Sequence, residues 1–226
     1  IFTLHSPNLS ISIVIPSYRS SEALRKNLPY LMDFLKAKIN DFEVIIVDDG
    51  SKDRTAARLL ELQQRFPALV VVRHPYNKGY GAALKTGFAR AQHDIVVITD
   101  ADGTYPEGMI GALIEKVDEG ADMAVGSRTG KDVHIPLVRR PAKAFLRWLA
   151  SYLAGTHIPD LNSGLRAIRR ELVMRYRPIL PQGFSFTTTI TLAALTNDHV
   201  VAYVPINYAK RSGRSKIRPI RDTLGF

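Results

Sequence analysis

The chain has no cysteine. Disulfides, thiolate nucleophiles and zinc–thiolate sites are therefore excluded. No apolar run approaches the roughly 18 residues that a membrane-spanning helix needs. Residues 1–10 lack a basic stretch leading into an apolar one, so they do not read as a secretory signal. The six histidines, His5, His74, His93, His134, His157 and His199, are scattered. None recurs at the spacing of a metal-binding pair, and they read as core or solvated side chains. A Walker A sequence is missing. So is the glycine-rich turn that a dinucleotide fold places after its first strand; the chain there runs Ile15-Pro16-Ser17-Tyr18-Arg19. Zinc-finger spacings and RNP aromatics are absent too, which argues against nucleic acid as a partner. Acidic residues are scarce in one half only. Residues 1–126 hold 14 Lys and Arg against 16 Asp and Glu, whereas residues 127–226 hold 17 against 5. A second half this basic points to an anionic partner.

What is present is an alternation. Runs Ile11–Pro16, Phe42–Asp48, Leu69–Arg73, Asp94–Thr99 and Ala121–Val125 read as strands. Glu22–Lys36, Arg54–Arg65, Ala82–Ala91 and Glu107–Glu119 read as helices between them. That order predicts a doubly wound, mostly parallel α/β sheet. After Arg128 the rhythm breaks. Lys131–Pro136 is polar, Leu137–Ala154 predicts a helix with one basic and one apolar, aromatic face, and Ser163–Ile168, a helical Phe186–Asn197 and a strand at His199–Pro205 follow. The tail from Arg211 to Asp222 is basic and carries Gly213 and Pro219.

The fourth strand ends in Asp100-Ala101-Asp102. Two carboxylates one residue apart repel unless a cation lies between them or one is protonated. They sit where a parallel sheet presents its ligand-binding edge, so the pair predicts a site for Mg2+ or Mn2+ completed by substrate phosphates; the other reading is a solvated turn. Asp48 and Asp49 end the second strand and either accept hydrogen bonds from a base or ribose or shape a turn. Asn77-Lys78-Gly79-Tyr80-Gly81 opens the third helix. Its glycines either admit phosphate to a helix N-terminus or serve packing.

In order, Pro16-Ser17-Tyr18, Glu22, Asp48-Asp49-Gly50-Ser51, Asn77-x-Gly79-x-Gly81, Asp100-Ala101-Asp102, Gly126-Ser127-Arg128, Ser163-Gly164-Leu165-Arg166 and Arg211-x-Gly213-x-Ser215-Lys216 resemble the family 2 glycosyltransferases of GT-A fold. Among these the chain is most similar to the dolichyl- and polyprenyl-phosphate hexose synthases. The resemblance implies a single catalytic domain over residues 1–226. Residues 11–126 would bind a nucleotide-sugar and 127–226 the acceptor, with an amphipathic interface helix beside the Rossmann-like sheet. It implies inverting transfer of a hexose from GDP-mannose, UDP-glucose or UDP-N-acetylglucosamine to a polyprenyl phosphate. It places Pro16, Tyr18, Glu22, Asp48, Asp49, Lys78, Gly79, Asp100, Ala101 and Asp102 at the donor. Arg128, Arg139, Arg140, Ser163, Arg166, Arg211 and Lys216 would meet phosphates and acceptor. Asp102, Asp160 and Arg128 would be catalytic. Asp100 and Asp102 would bind the metal, joined by Thr104, which stands where many of these synthases carry a glutamine. A hydroxyl acceptor, with Asp160 as its base, is the alternative. The expected location is the cytoplasmic face of a membrane, as a peripheral protein or as a catalytic domain continuing past residue 226, with room for a homo-oligomer.

Overall fold

The computed structural model describes residues 10–129 and 140–208, with backbone alone for 140–146. Arg139, Arg211 and Lys216, and the side chain of Arg140, lie outside the described residues.

Seven strands form one sheet. β1 (Ser10–Ser17), β2 (Asp41–Asp48), β3 (Leu69–Arg73), β4 (Ile95–Ile98) and β5 (Met123–Ser127) are followed by β6 (Arg166–Arg169) and β7 (Val201–Pro205). Their spatial order is β3-β2-β1-β4-β6-β5-β7. All neighbours are parallel except β6, which runs antiparallel to both β4 and β5. The expected mostly parallel sheet is present, and the nine strand and helix runs read before Arg128 all recur within a few residues.

Period-two alternation explains why the sheet is covered on both faces. On β1, Ile11, Ile13 and Ile15 enter one core with α1 (Ser21–Lys38), α2 (Thr55–Arg65) and α4 (Met109–Asp118). Val14 enters the other, with α3 (Tyr80–Arg90), α6 (Arg170–Tyr176) and α7 (Phe186–Leu195). β4 is buried at all four positions, as its Ile-Val-Val-Ile run requires. α5 (Arg140–Leu153) lies within the predicted amphipathic helix. Its Ala150 packs with Ile158 and Leu161, against Leu192 and Leu195 of α7.

Two features were not anticipated. α6 is a short helix that the sequence reading left out. The second is the place of β6, slotted between β4 and β5. Because β6 runs backwards, its start lies at the same sheet edge as the ends of β4 and β5. The order in which strands are added across the sheet also reverses at β1, since β2 and β3 lie to one side and the parallel β4 to the other. That is the topological switch point where open α/β sheets hold ligands.

Candidate active site

Asp100 and Asp102 follow β4 at this switch point. The turn they occupy is held from three directions. Asn27 on α1 donates its side-chain amide to the Ala101 carbonyl (3.2 Å). Gly103 adopts φ +68°, open to glycine at little cost. A β-carbon there would lie 2.7–2.8 Å from three atoms of the Asn27 amide. Thr104 donates its hydroxyl (2.7 Å) and its amide (3.2 Å) to Asp102 Oδ1. The buried Thr104 thus aims Asp102.

Among the described residues no cluster of three or more His, Asp or Glu side chains forms a complete metal cage. Two carboxylates on one short turn instead fit a hard cation that takes its remaining ligands from phosphate and water. The residues present therefore fit Mg2+ or Mn2+, held by Asp100 and Asp102.

The facing wall comes from β5 and the loop before β6. Arg128, just past β5, makes a two-pronged ion pair with Asp160: Nε donates to Oδ2 (2.7 Å) and Nη2 to Oδ1 (2.9 Å). The Arg128 and Asn162 backbone amides also donate to Asp160, at 3.0 and 3.1 Å. Burial disfavours the Asp160 charge, but the Arg128 hydrogen bonds outweigh it and hold the carboxyl below the usual range. Burial likewise opposes the Arg128 charge, and Asp160 more than offsets that, keeping the guanidinium above its ordinary value. Arg128 also lies 5.4 Å over the Tyr208 ring, which contacts Tyr105 edge-on at 5.2 Å. Both carboxylate oxygens of Asp160 are thus engaged by the Arg128 guanidinium. The contacts that Asp160 makes orient Arg128.

Between the two walls lies Gly164. Its amide donates to the Tyr105 hydroxyl (2.7 Å). A β-carbon at Gly164 would sit 3.2 Å from that hydroxyl, 3.3 Å from the Tyr80 hydroxyl and 3.4 Å from Asp100 Oδ2. Two phenols and the first carboxylate of the turn thus converge on one backbone position. Burial, then Asp100, pushes both phenols up, so both stay protonated. Tyr80 stacks on Phe184 at 5.4 Å. Asn27, Tyr80 and Tyr105 were missed in the sequence. Only Tyr105, three residues after Asp102, carried any positional hint. The adjacent Ser163 is fully buried, and its hydroxyl has no hydrogen-bond partner among the described residues.

Other expected residues fall elsewhere. Arg166 is completely buried. It donates to the Ser163 and Leu161 carbonyls (2.7 and 2.9 Å), Thr191 Oγ1 (2.7 Å) and Met123 Sδ (3.4 Å). It ties the 161–163 loop to α7 from beneath and does not reach a phosphate at the surface. Asp49 is buried and accepts from His74 Nδ1 (2.7 Å), the Lys78 amide (2.9 Å) and the Gly79 amide (2.8 Å). Those two amides, just ahead of α3, are thereby committed to Asp49. Gly79 (φ +106°) and Gly81 instead let the Pro181–Gly183 backbone pass close: β-carbons there would lie 2.5 and 2.3 Å from its carbonyl oxygens. Asp48 is buried, accepts the Ser51 amide (3.1 Å) and lies 3.3 Å from Arg73 Nε. Pro16 and Tyr18 sit, partly buried, at the end of β1. Lys78 is exposed, with Nζ 5.7 Å over the Tyr76 ring. Glu22 is exposed and paired with Arg25 (3.1 Å). On α5, Trp148, Tyr152 and Leu153 are 62%, 74% and 59% exposed, and the two aromatic rings stack at 6.0 Å. No helix among the described residues is long and apolar enough to cross a membrane.

Comparison with known proteins bears on this site. The sequence profile of glycosyl transferase family 2 matches residues 12–177. Polyprenol monophosphomannose synthase of Mycolicibacterium smegmatis is 32% identical, over 93% of this chain and 82% of its own length. Dolichol-phosphate mannosyltransferase of Pyrococcus furiosus is 31% identical, over 93% of this chain but 60% of its own length. Undecaprenyl-phosphate 4-deoxy-4-formamido-L-arabinose transferase of Pseudomonas fluorescens is 30% identical, over 93% and 61%. The chain thus spans about three fifths of two of these three relatives. Among solved structures, glucosyl-3-phosphoglycerate synthase of Mycobacterium tuberculosis, bound to Mn2+, uridine diphosphate and phosphoglyceric acid, superposes with a TM-score of 0.73. It is 23% identical and aligns over 98% of this chain and 76% of its own. A mannosyltransferase of Pyrobaculum calidifontis with GDP-mannose and Mn2+ gives 0.64 at 21% identity, over 93% and 60%. These likenesses show the GT-A fold, and the profile match together with the Mycolicibacterium relative shows that the chain belongs to glycosyl transferase family 2.

Proposed function

We propose that this chain transfers a hexose, with inversion, from a nucleotide-sugar to a polyprenyl phosphate, using Mg2+ or Mn2+ at Asp100 and Asp102. The observation that carries this reading is the state of Asp160. The candidate base on the acceptor side is locked onto Arg128 and kept ionised. A hydroxyl acceptor needs a base to take its proton. A monoester phosphate, with a second pKa near ~6, is already largely ionised at neutral pH. Its oxygen can attack the anomeric carbon directly while the bond to the nucleoside diphosphate breaks on the opposite face. No proton has to move. The sugars in the relatives' names differ, mannose in two and a formamido-arabinose in the third. The acceptor class, a polyprenyl phosphate, is what those names share. The sugar is therefore left open among the mannose, glucose and N-acetylglucosamine donors.

The bound cation would supply charge neutralisation at the leaving diphosphate. The chain's own groups do the rest. Thr104, Asn27 and Gly103 fix the turn that carries the two carboxylates. Asp160 presents Arg128 in one orientation, pre-set for a phosphate. The protonated Tyr80 and Tyr105 keep the floor of the cleft neutral. The exposed Trp148, Tyr152 and Leu153 of α5 fit the boundary of a bilayer, with the basic second half facing anionic headgroups. On this reading the domain works at a membrane surface, the cytoplasmic one being where nucleotide-sugars are made.

The test is an acceptor pair. With a panel of nucleotide-sugars and Mn2+, product should form with undecaprenyl or dolichyl phosphate and not with the corresponding polyprenol. Equal transfer to the alcohol would refute the reading.

A further inference from the structure

Sugar transfer by itself gives no reason for an asparagine in the middle of α1. A cleft runs behind the Asp100–Asp102 turn, and α1 lines it with Leu24, Leu28, Leu31 and one polar residue, Asn27. Elsewhere α1 buries leucines and a methionine toward the core. The Asn27 side chain instead reaches 74 residues along the sequence to the carbonyl of Ala101, the residue between the two carboxylates. Its amide lies flat against Gly103, too close for any β-carbon there. The Thr104 hold comes from inside the turn itself. Asn27 therefore ties the turn to the rigid body of the fold.

We infer that Asn27 is a positioning residue, which fixes the backbone from which Asp100 and Asp102 meet a divalent cation. The inference deepens the functional reading above and rests on it for the identity of that cation's site. Carboxylates one residue apart share one peptide frame. A rotation of the Ala101 carbonyl plane changes the separation and aim of both at once. Supported sites tolerate only about 0.5 Å of such drift. Asn27 opposes that rotation by satisfying the carbonyl on the α1 side, and its flat amide blocks Gly103 from following.

The experiment titrates the protein with Mn2+ alone, reading the free ion by electron paramagnetic resonance. The wild type should bind one Mn2+ and Asp102→Asn should not. Absence of binding in the wild type, or unchanged binding in Asp102→Asn, would remove the metal site and this inference with it. Asn27→Leu keeps the volume and loses the donor. It should bind Mn2+ about tenfold more weakly, equivalent to ~1.4 kcal/mol, with its melting temperature shifted by no more than a few degrees. Saturating Mn2+ should restore its turnover to within about twofold of wild type. Loss of general packing would instead lower turnover at every Mn2+ concentration. Mn2+ affinity within twofold of wild type, or a turnover deficit that Mn2+ does not relieve, would overturn the inference while leaving the Asp100–Asp102 site standing. Where Asn27→Leu does not fold, Asn27→Ser, which is too short to reach Ala101, carries the same two readouts.

Discussion

Asp160→Asn separates the two roles that the residue could have. In the structure Asp160 is one half of a mostly buried ion pair, with side-chain exposures of 17% for Arg128 and 11% for Asp160. Removing one partner of a buried pair costs about 3–5 kcal/mol, because the remaining charge is left without compensation. Residual solvent access and the carbonyl oxygen that asparagine keeps for the backbone amides reduce this to ~2–3 kcal/mol. For a chain of this size that is a fall of roughly 5–10 °C in Tm. The pH dependence follows from the sign of the Asp160 shift. Its folded pKa is depressed, so its contribution is fully present above the unfolded value near ~4 and is lost only as pH falls through the lower folded value. The Tm difference between wild type and Asp160→Asn should therefore be constant from about pH 5 to 9 and shrink below about pH 4. Turnover should fall because Arg128 is no longer held, and by the same factor at every pH in that range. A general base would behave otherwise. The wild-type rate would then have an acid limb that Asp160→Asn abolishes, beyond the limb near pH ~6 that ionisation of the acceptor phosphate gives to both proteins, and stability would hardly change. That combination, measured by thermal melts and a kcat profile on the same preparations, would refute the orienting role.

Asp102→Asn should lower turnover by about 10^2 to 10^4, the scale of losing a main electrostatic stabiliser at the reacting centre, with the fold retained in circular dichroism. Thr104→Ala should cost about tenfold or less, since it removes one hydrogen bond that aims a carboxylate; a loss equal to that of Asp102→Asn would make Thr104 a ligand. Replacing Trp148, Tyr152 and Leu153 together by alanine should weaken co-sedimentation with anionic vesicles by about tenfold or more, while leaving turnover on a detergent-dispersed short-chain acceptor within about twofold. Unchanged vesicle binding would exclude that face of α5 as the lipid contact.

The first half of the fold was legible in the sequence because each element carries its own periodic signal. Ile95–Ile98 reads as a buried strand without knowledge of its neighbours, and Leu24, Leu28, Leu31 and Leu35 mark a helical face. The candidate metal turn stood out for the same reason, two carboxylates lying one residue apart in sequence. Less legible were contacts made across the fold. No local pattern announces that Asn27 touches Ala101, that Tyr80 and Tyr105 meet over Gly164, or that Asp160 pairs with Arg128. Arg166 illustrates the opposite error. A basic residue in a basic half reads as surface charge, yet here it is completely buried among carbonyls. At Asp49 the sequence left a ligand and a turn-shaping role open; its oxygens are engaged by backbone amides and His74.

The position of β6 explains how Asp100, Arg128 and Asp160, far apart in sequence, come to one sheet edge. A further parallel strand beside β4 would place its preceding loop at the opposite edge of the sheet. Running antiparallel, β6 brings residues 160–165 to the edge where Asp100 and Arg128 already end. Arg166, the first residue of that strand, then anchors the loop it has just left, through the Ser163 and Leu161 carbonyls. Loop and strand start are thus one unit, and its charge is internal. Among the described residues the hydrogen bonds of Arg166 go to two carbonyls, a hydroxyl and a thioether, and the carbonyl dipoles that stabilise the guanidinium cannot turn away without opening the loop. The Ser163 hydroxyl, Gly164 and the Arg128–Asp160 pair all hang on that unit. Arg166→Lys keeps the charge but cannot reach four partners in one plane. It should disturb Arg128 and Gly164 together, and so impair acceptor binding and stability in step.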